Sequence, residues 1–241
     1  GRPSPGAALA ASQAAVAAAL AALQEAPRVC LLGHSLGCAA SAQLAASLRI
    51  PPAHMVISAP FSDIPTMAMQ VLGGLLPEPL RPCFPPVLHW LVPHQWRNHA
   101  RVPEAAKAGW RVSIIHGQKD ELVPFFMGQM LHHLAAEAAF VGKTVEAHSL
   151  AAGAALNGAR GRVESVQGER VVVRFGADEP KAVRQENVRI VDAPLAAVAG
   201  AGLPLASLVE VDGAGHNDVL LRAAPVLAEY FRASAGGGAP V

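Results

Sequence analysis

The hydrophobic positions fall into short apolar runs separated by longer helix-forming stretches. Residues 7–24 are dominated by Ala and favour a helix, which Pro27 ends. Arg28-Val29-Cys30-Leu31-Leu32 then runs apolar without polar alternation, the pattern of a strand buried on both faces of a parallel sheet. A sharp turn over 33–37 leads into a helix over 38–48, and Pro51 and Pro52 break the chain before a second apolar strand, His54-Met55-Val56-Ile57-Ser58. A third covers 110–116, centred on Val112-Ser113-Ile114-Ile115. Pro124 then suits the first turn of a helix running to about Ala139. Residues 144–148 fit a next strand, 208–211 another, and 218–232 a last helix. Alternating strand and helix predicts an α/β fold, a parallel sheet with helices on both faces.

Two stretches break that rhythm. Residues 60–108 are rich in Pro, Leu, Met and Trp, with short helical pieces at most. Their apolar residues, Met67, Met69, Leu72, Leu75, Leu76, Phe84, Leu88, Trp90, Leu91 and Trp96, suit either a cap over an acyl-chain site or the core of a helical excursion. Residues 158–192 change period: two β-branched runs, 161–166 and 169–175, flank Gln167-Gly168 as a hairpin, and 181–184 and 188–191 add two short strands. This is the pattern of a small SH3-like β-barrel, and its flanks at 151–155 and 193–202 are Ala-, Gly- and Pro-rich like linkers. The expected organisation is one α/β domain over 1–150 and 193–241, interrupted by the barrel over 151–192.

Composition narrows the partners. Of 241 residues, 52% are hydrophobic, enough for a sizeable core, and mean hydropathy is +0.32. With 19 basic and 18 acidic side chains the formal charge is only +1, which argues against nucleic acid as a partner. The barrel's Arg160, Arg162, Arg170, Arg174, Lys181, Arg184 and Arg189 are interleaved with acids and read as a solvated face. Three cysteines, Cys30, Cys38 and Cys83, show no disulfide pattern, so a reducing compartment is the default. The Ala-rich start lacks the basic beginning and bulky centre of a signal peptide, and no run has membrane-spanning length. No Cys/His cluster has metal-ligand spacing and no Gly-rich nucleotide loop has the right context, so no cofactor and no metal are expected.

The chemistry centres on Gly33-His34-Ser35-Leu36-Gly37. Gly-x-Ser-x-Gly between an apolar strand and a helix is a nucleophile elbow. A strained turn lifts the Ser35 hydroxyl clear of the sheet. Bulky side chains two positions to either side would collide with the neighbouring strand and helix, which accounts for Gly33 and Gly37. The N–H of Leu36, at the helix start, faces the reacting carbonyl and is the candidate oxyanion donor. A serine nucleophile needs a base and an orienting acid. His216 fits the base: it closes Gly213-Ala214-Gly215-His216 directly after an apolar strand, in a loop small enough to fold over the elbow. Asp120, in His116-Gly117-Gln118-Lys119-Asp120, fits the acid, with Glu121 and Asp63 as alternatives. The elbow directs His34 away from the nucleophile. His34, Trp90 and Met67 are the candidate substrate-binding residues.

His116-Gly-x-x-Asp120-x-x-Val-Pro124 and Gly213-x-Gly215-His216-Asn217-Asp218 resemble the paired motifs of the α/β-hydrolases. With Ser58-x-Pro60-Phe61 they look most like the membrane-associated serine hydrolases, a group of lysophospholipid and monoacylglycerol lipases and protein depalmitoylases. The resemblance covers about residues 7–148 and 203–232. It implies a Ser35–His216–Asp120 triad acting without cofactor on an ester or thioester of an apolar acyl group, with a small molecule or acyl lipid as partner. It also implies that the first sheet strands and the loop giving a second oxyanion N–H precede residue 7, which leaves an open edge on the elbow strand. Any membrane association would then run through a segment before Gly1. Asp120 and His216 lie 96 residues apart, and the β-rich insertion has to loop out between them. An alternative expectation is a catalytically impaired fragment or pseudo-enzyme that serves as an interaction module through the barrel.

Overall fold

In the computed structural model, which describes residues 4–22, 29–48, 54–72, 84–191 and 204–234, four apolar runs form one parallel sheet. Its strands are β1 (Cys30–His34), β2 (His54–Ser58), β3 (Arg111–Gly117) and β9 (Ala206–Val211), in the order β1-β2-β3-β9. Registers run Cys30 beside His54, Met55 beside Val112 and Ile115 beside Val209, so all four strands end on one edge. The first strand begins two residues later than its apolar run suggests, because pairing with β2 starts at Cys30. Among the described residues β1 pairs only with β2 and is an edge strand.

Period-two alternation explains how the sheet is covered. Met55, Ile57, Val112 and Ile114 enter one core, while Val56 and Ile115 point to the other face. The first face packs against α2 (Leu36–Ser47), α5 (Asn98–Lys107) and α6 (Phe125–Phe140) through Cys38, Ala42, Leu44, Val102, Ala105, Leu131 and Phe140. Small residues on α2 let it lie close to the sheet: Ala42 and Ala45 are fully enclosed. The Ala-rich α1 (Pro5–Ala22) leans on α2 and stays largely exposed. The opposite face is closed by Val219 of α7 (Val219–Arg222) and by Leu227 and Tyr230 of α8 (Ala224–Ser234). The single last helix expected from sequence is thus two helices with a break at Ala223. The doubly covered parallel sheet predicted by strand–helix alternation is present.

Part of the 60–108 stretch packs as the core of a helical excursion. Helix α5 belongs to the main core, with Val102, Ala105 and Ala106 buried. Helix α3 (Ile64–Leu72) begins beside a small cluster of Ala39, Phe61, Val123 and Met127, against which Met67 and Trp96 pack. Helix α4 (Phe84–Leu91) touches α3 and leaves Trp90 83% exposed. Leu75 and Leu76 lie outside the described residues.

A second, antiparallel sheet sits between α6 and β9 in the chain. It holds β4 (Thr144–Ala147), β5 (Arg160–Gln167), β6 (Arg170–Arg174), β7 (Lys181–Arg184) and β8 (Val188–Ile190), in the order β7-β6-β5-β4-β8. The strand read at 144–148 as a continuation of the parallel sheet pairs here instead, with β5 and β8. The second sheet therefore begins ahead of residue 151. Its inward residues, Val145, Val163, Val171, Val173, Phe175 and Val183, are continuous with the core beneath α6, so the unit is fused to the larger sheet. Cys83 and the whole linker-like stretch at 193–202 fall outside the described residues.

Candidate active site

Ser35 stands in the turn between β1 and α2 with φ 52° and ψ −119°, in the left-handed region that a serine seldom occupies. Two anchors hold it there. Its N–H donates to the carbonyl of Ser58 on the neighbouring strand at 2.9 Å, and its carbonyl accepts from the N–H of Cys38 at 3.0 Å. A side chain at Gly33 would place its Cβ 2.6 Å from the carbonyl oxygen of Gly37 and 2.7 Å from Ser41 Oγ, so the close crossing of β1 and α2 requires glycine. Gly37 differs: a Cβ there would meet nothing within 4 Å. The symmetric steric reading of the two glycines is therefore corrected, because only Gly33 is crowded. Leu36 is the first residue of α2, where a backbone N–H has no acceptor within the helix, and its side chain is 50% exposed. Cys38 is fully buried and its thiol donates to the carbonyls of Ser58 and Gly33; burial pushes it well above the usual thiol range, so it stays protonated and is not a competing nucleophile.

Asp120 lies in the loop between β3 and α6, His216 in the loop between β9 and α7. The chain brings them together across 96 residues: His216 Nδ1–H donates to Asp120 Oδ2 at 2.8 Å, and Ser35 Oγ–H donates to His216 Nε2 at 3.0 Å. The other oxygen of Asp120 accepts the N–H groups of Leu122 at 3.0 Å and Val123 at 2.8 Å. The Asp120 side chain is fully enclosed, so those donors replace the water it has lost. The two loops are also joined through their backbones. Lys119 N–H donates to Ala214 O at 3.0 Å and Gln118 N–H to Val211 O at 3.1 Å. A Cβ on Gly117 would press to 2.3 Å from Ala214 O, so glycine is what lets the loops touch. Asp218 finishes the histidine loop by accepting Gly215 N–H at 2.7 Å, and its ion pair with Arg222 and that N–H hold its carboxyl below the usual range.

The remaining expected residues divide. His34 is not directed away from the site: its ring lies 5.1 Å from that of His216, tilted by 40°, with Nδ1 3.4 Å from Ser58 Oγ. Burial, and then the neighbouring His216, hold it below the ordinary histidine range, so it is neutral at pH 7. Met67 is half-buried against the cluster that includes Val123 of the Asp120 loop. Trp90 is not brought into a closed wall, as its exposure shows. Of the alternative acids, Glu121 is exposed. Asp63 accepts from Thr66 N–H and Thr66 Oγ1 at 2.7 and 2.9 Å and lies 3.3 Å from His99 Nδ1, which makes it the cap of α3. Sequence reasoning passed over His116, a fully buried imidazole whose Nε2 is 2.9 Å from Val123 O and 3.6 Å from Asp120 Oδ2. Its place at the head of the Asp120 motif was the only signal available. Among the described residues no group of His, Cys, Asp and Glu side chains could hold a metal ion.

The sequence profile described as the alpha/beta hydrolase family matches residues 1–229. The chain belongs to the alpha/beta hydrolase family. Solved structures similar to this hydrolase-family chain include a puromycin hydrolase mutant, at 13% identity and TM-score 0.45, covering 93% of this chain and 25% of that one. Another is a puromycin-hydrolyzing peptidase of Mycobacterium tuberculosis, at 12% identity and TM-score 0.44, covering 95% and 25%. A third is the esterase domain of a Rhodothermus marinus protein, at 14% identity and TM-score 0.43, covering 94% and 68%. The chain spans about a quarter of the length of the first two. No curated protein matches it.

Proposed function

We propose that this alpha/beta hydrolase is a serine hydrolase that cleaves a carboxylic ester or thioester of an apolar acyl substrate. The observation that carries the proposal is the unbroken relay from Ser35 Oγ through His216 to Asp120, at 3.0 and 2.8 Å, on a strained elbow. In the first half-reaction Ser35 Oγ attacks the acyl carbon while its proton passes to His216 Nε2. His216 then gives that proton to the departing alcohol or thiol, leaving an acyl-serine. Water repeats the sequence, with its proton taken by His216, and releases the acid. Asp120 fixes the tautomer and supports the imidazolium formed in each transition state. Leu36 N–H binds the oxyanion, a donor of a kind worth about 10²–10³ in rate.

The apolar preference rests on the surroundings of the triad. Leu36 and Leu122, one and two residues from triad members, are both about half exposed. Met67 and His34 add apolar or neutral surface, and we assign Trp90 to the outer approach. The likeness to lipases and depalmitoylases belongs to this proposal, as does the reading of the antiparallel unit as an SH3-like barrel. A fluorophosphonate probe tests the hydrolase: it should label the folded protein at Ser35, and Ser35→Ala should abolish labelling. Absence of labelling in the folded wild type overturns the proposal. A series of p-nitrophenyl esters from acetate to decanoate tests the preference, which predicts kcat/KM rising with chain length.

A further inference from the structure

We infer that His116 is a positioning residue of the triad, holding Asp120 in place for His216; this rests on the serine-hydrolase reading above. His116 is the penultimate residue of β3, and its ring is wholly buried beneath the Asp120 loop. Its Nε2 lies 2.9 Å from Val123 O, an acceptor only, so Nε2 carries the proton and donates. The same nitrogen is 3.6 Å from Asp120 Oδ2, the oxygen that receives His216 Nδ1–H, so the imidazole borders the working oxygen without a direct hydrogen bond to it. Val123 is held twice: its carbonyl accepts from His116 and its N–H donates to Asp120 Oδ1. The imidazole, Val123 and the carboxylate thus form a closed ring of contacts around the acid.

The other face of His116 shows that packing alone does not account for it. Nδ1 is buried without a hydrogen-bond partner. It faces Gly128 of α6, where a Cβ would come within 2.4 Å of it. An orphaned buried acceptor costs free energy that a leucine or phenylalanine in the same space would avoid. The ring sits edge-on to Phe125 at 5.7 Å. The histidine gains over a leucine or phenylalanine only at Nε2, and Nε2 acts on the Asp120 loop. Burial holds the imidazole below the ordinary histidine range, so the neutral form that leaves Nδ1 bare is the one present.

Three variants and two readouts test the assignment. His116→Phe fills the pocket without a donor. It should stay folded, exchanging the unpaired Nδ1 for an unpaired Val123 carbonyl, while kcat on a p-nitrophenyl ester falls about 10- to 100-fold at unchanged KM. That range lies between the intact site and the roughly 10⁴-fold loss expected when a triad acid no longer orients its histidine. His116→Gln, which can bring an amide N–H to the Nε2 position, should recover most of that loss. Gly128→Ala, a favourable change for a helix, keeps the histidine but crowds Nδ1 and should lower kcat likewise. The second readout is independent of turnover: the low-field proton resonance of His216 Nδ1–H should broaden or move upfield in His116→Phe and return in His116→Gln. A wild type that shows the resonance but hydrolyses no ester would count against the hydrolase reading and leave the resonance shift to decide His116. Equal kcat and an unmoved resonance in folded His116→Phe overturn the inference. Should that variant not fold, unchanged kcat and resonance in Gly128→Ala overturn it.

Discussion

His34 and His216 lie ring against ring, 5.1 Å between centroids, although one sits in the elbow and the other 182 positions along the chain. The contact gives His216 a wall on the side where Ser58 anchors His34. Two cationic imidazoles at that distance would repel, and burial together with His216 keeps His34 neutral instead. His34 therefore acts as a neutral flat ring that limits how far His216 can turn from Ser35. His34→Ala should lower kcat about 10-fold through looser orientation, with KM changed little. His34→Phe, with the ring but not the nitrogens, should regain most of it. An equal loss in both variants would assign the effect to the nitrogens instead of the wall.

The two elbow glycines should respond in opposite ways. Gly33→Ala forces a Cβ against Gly37 O and Ser41 Oγ and should cost about 1–3 kcal/mol, the usual range for overpacking, along with most probe labelling at Ser35. Gly37→Ala adds a methyl to open space inside α2 and should leave stability unchanged or raise it by up to about 1 kcal/mol. Urea unfolding measures both, and a destabilised Gly37→Ala would restore the symmetric steric reading.

What could be read from the chain and what could not separate along a physical line. Ser35, Asp120 and His216 were legible because each follows an apolar strand in a turn with its own local signature, and the parallel sheet carries three such turns to one edge. The partner of a strand leaves no comparable trace. Residues 144–147 have the same composition whether they extend the parallel sheet or pair with β5 and β8, and only the fold decides. His34 and His116 were missed or misplaced for a similar reason. Their roles come from contacts to His216, Val123 and Gly128, which local sequence does not encode. Trp90 shows the same limit, because local sequence does not reveal that this bulky apolar residue is largely exposed.

His54 links stability to pH. It is buried at the start of β2, with Nε2 2.8 Å from Ser113 Oγ and Nδ1 3.1 Å from Ser234 Oγ, which ties α8 to the sheet. Burial, and then the charge of Arg111, push its pKa down to about 4. In the unfolded chain it titrates near about 6.5. Between those values the unfolded chain binds a proton that the folded one refuses, so stability is lost as pH falls from about 6.5 to about 4, by roughly 3 kcal/mol at most. His116 and His132 are shifted in the same direction and add to the trend. Urea midpoints from pH 7 to pH 4 should fall, and His54→Gln should flatten the fall. Parallel wild-type and variant curves would remove His54 as the cause.

Asp120 and Asp63 are both buried carboxylates in loops that follow parallel strands, and their surroundings assign them different work. Asp63 gives its oxygens to the first turn of α3 and to His99, so it caps a helix end. Asp120 gives one oxygen to its own loop and the other to His216. Asn at 120 would present either an amide nitrogen or a weaker acceptor to His216 Nδ1–H, favouring the tautomer that cannot accept the Ser35 proton. Asp120→Asn should therefore lower kcat by about 10⁴ while the protein remains folded. Asp63→Asn keeps an oxygen for one of the two Thr66 donors and should cost about 1 kcal/mol of stability, with kcat within a few-fold of wild type. Ester hydrolysis and thermal unfolding of the two variants side by side separate the roles. If Asp63→Asn is the one that loses turnover while folded, the acid is Asp63 and the 2.8 Å contact between His216 and Asp120 is only structural.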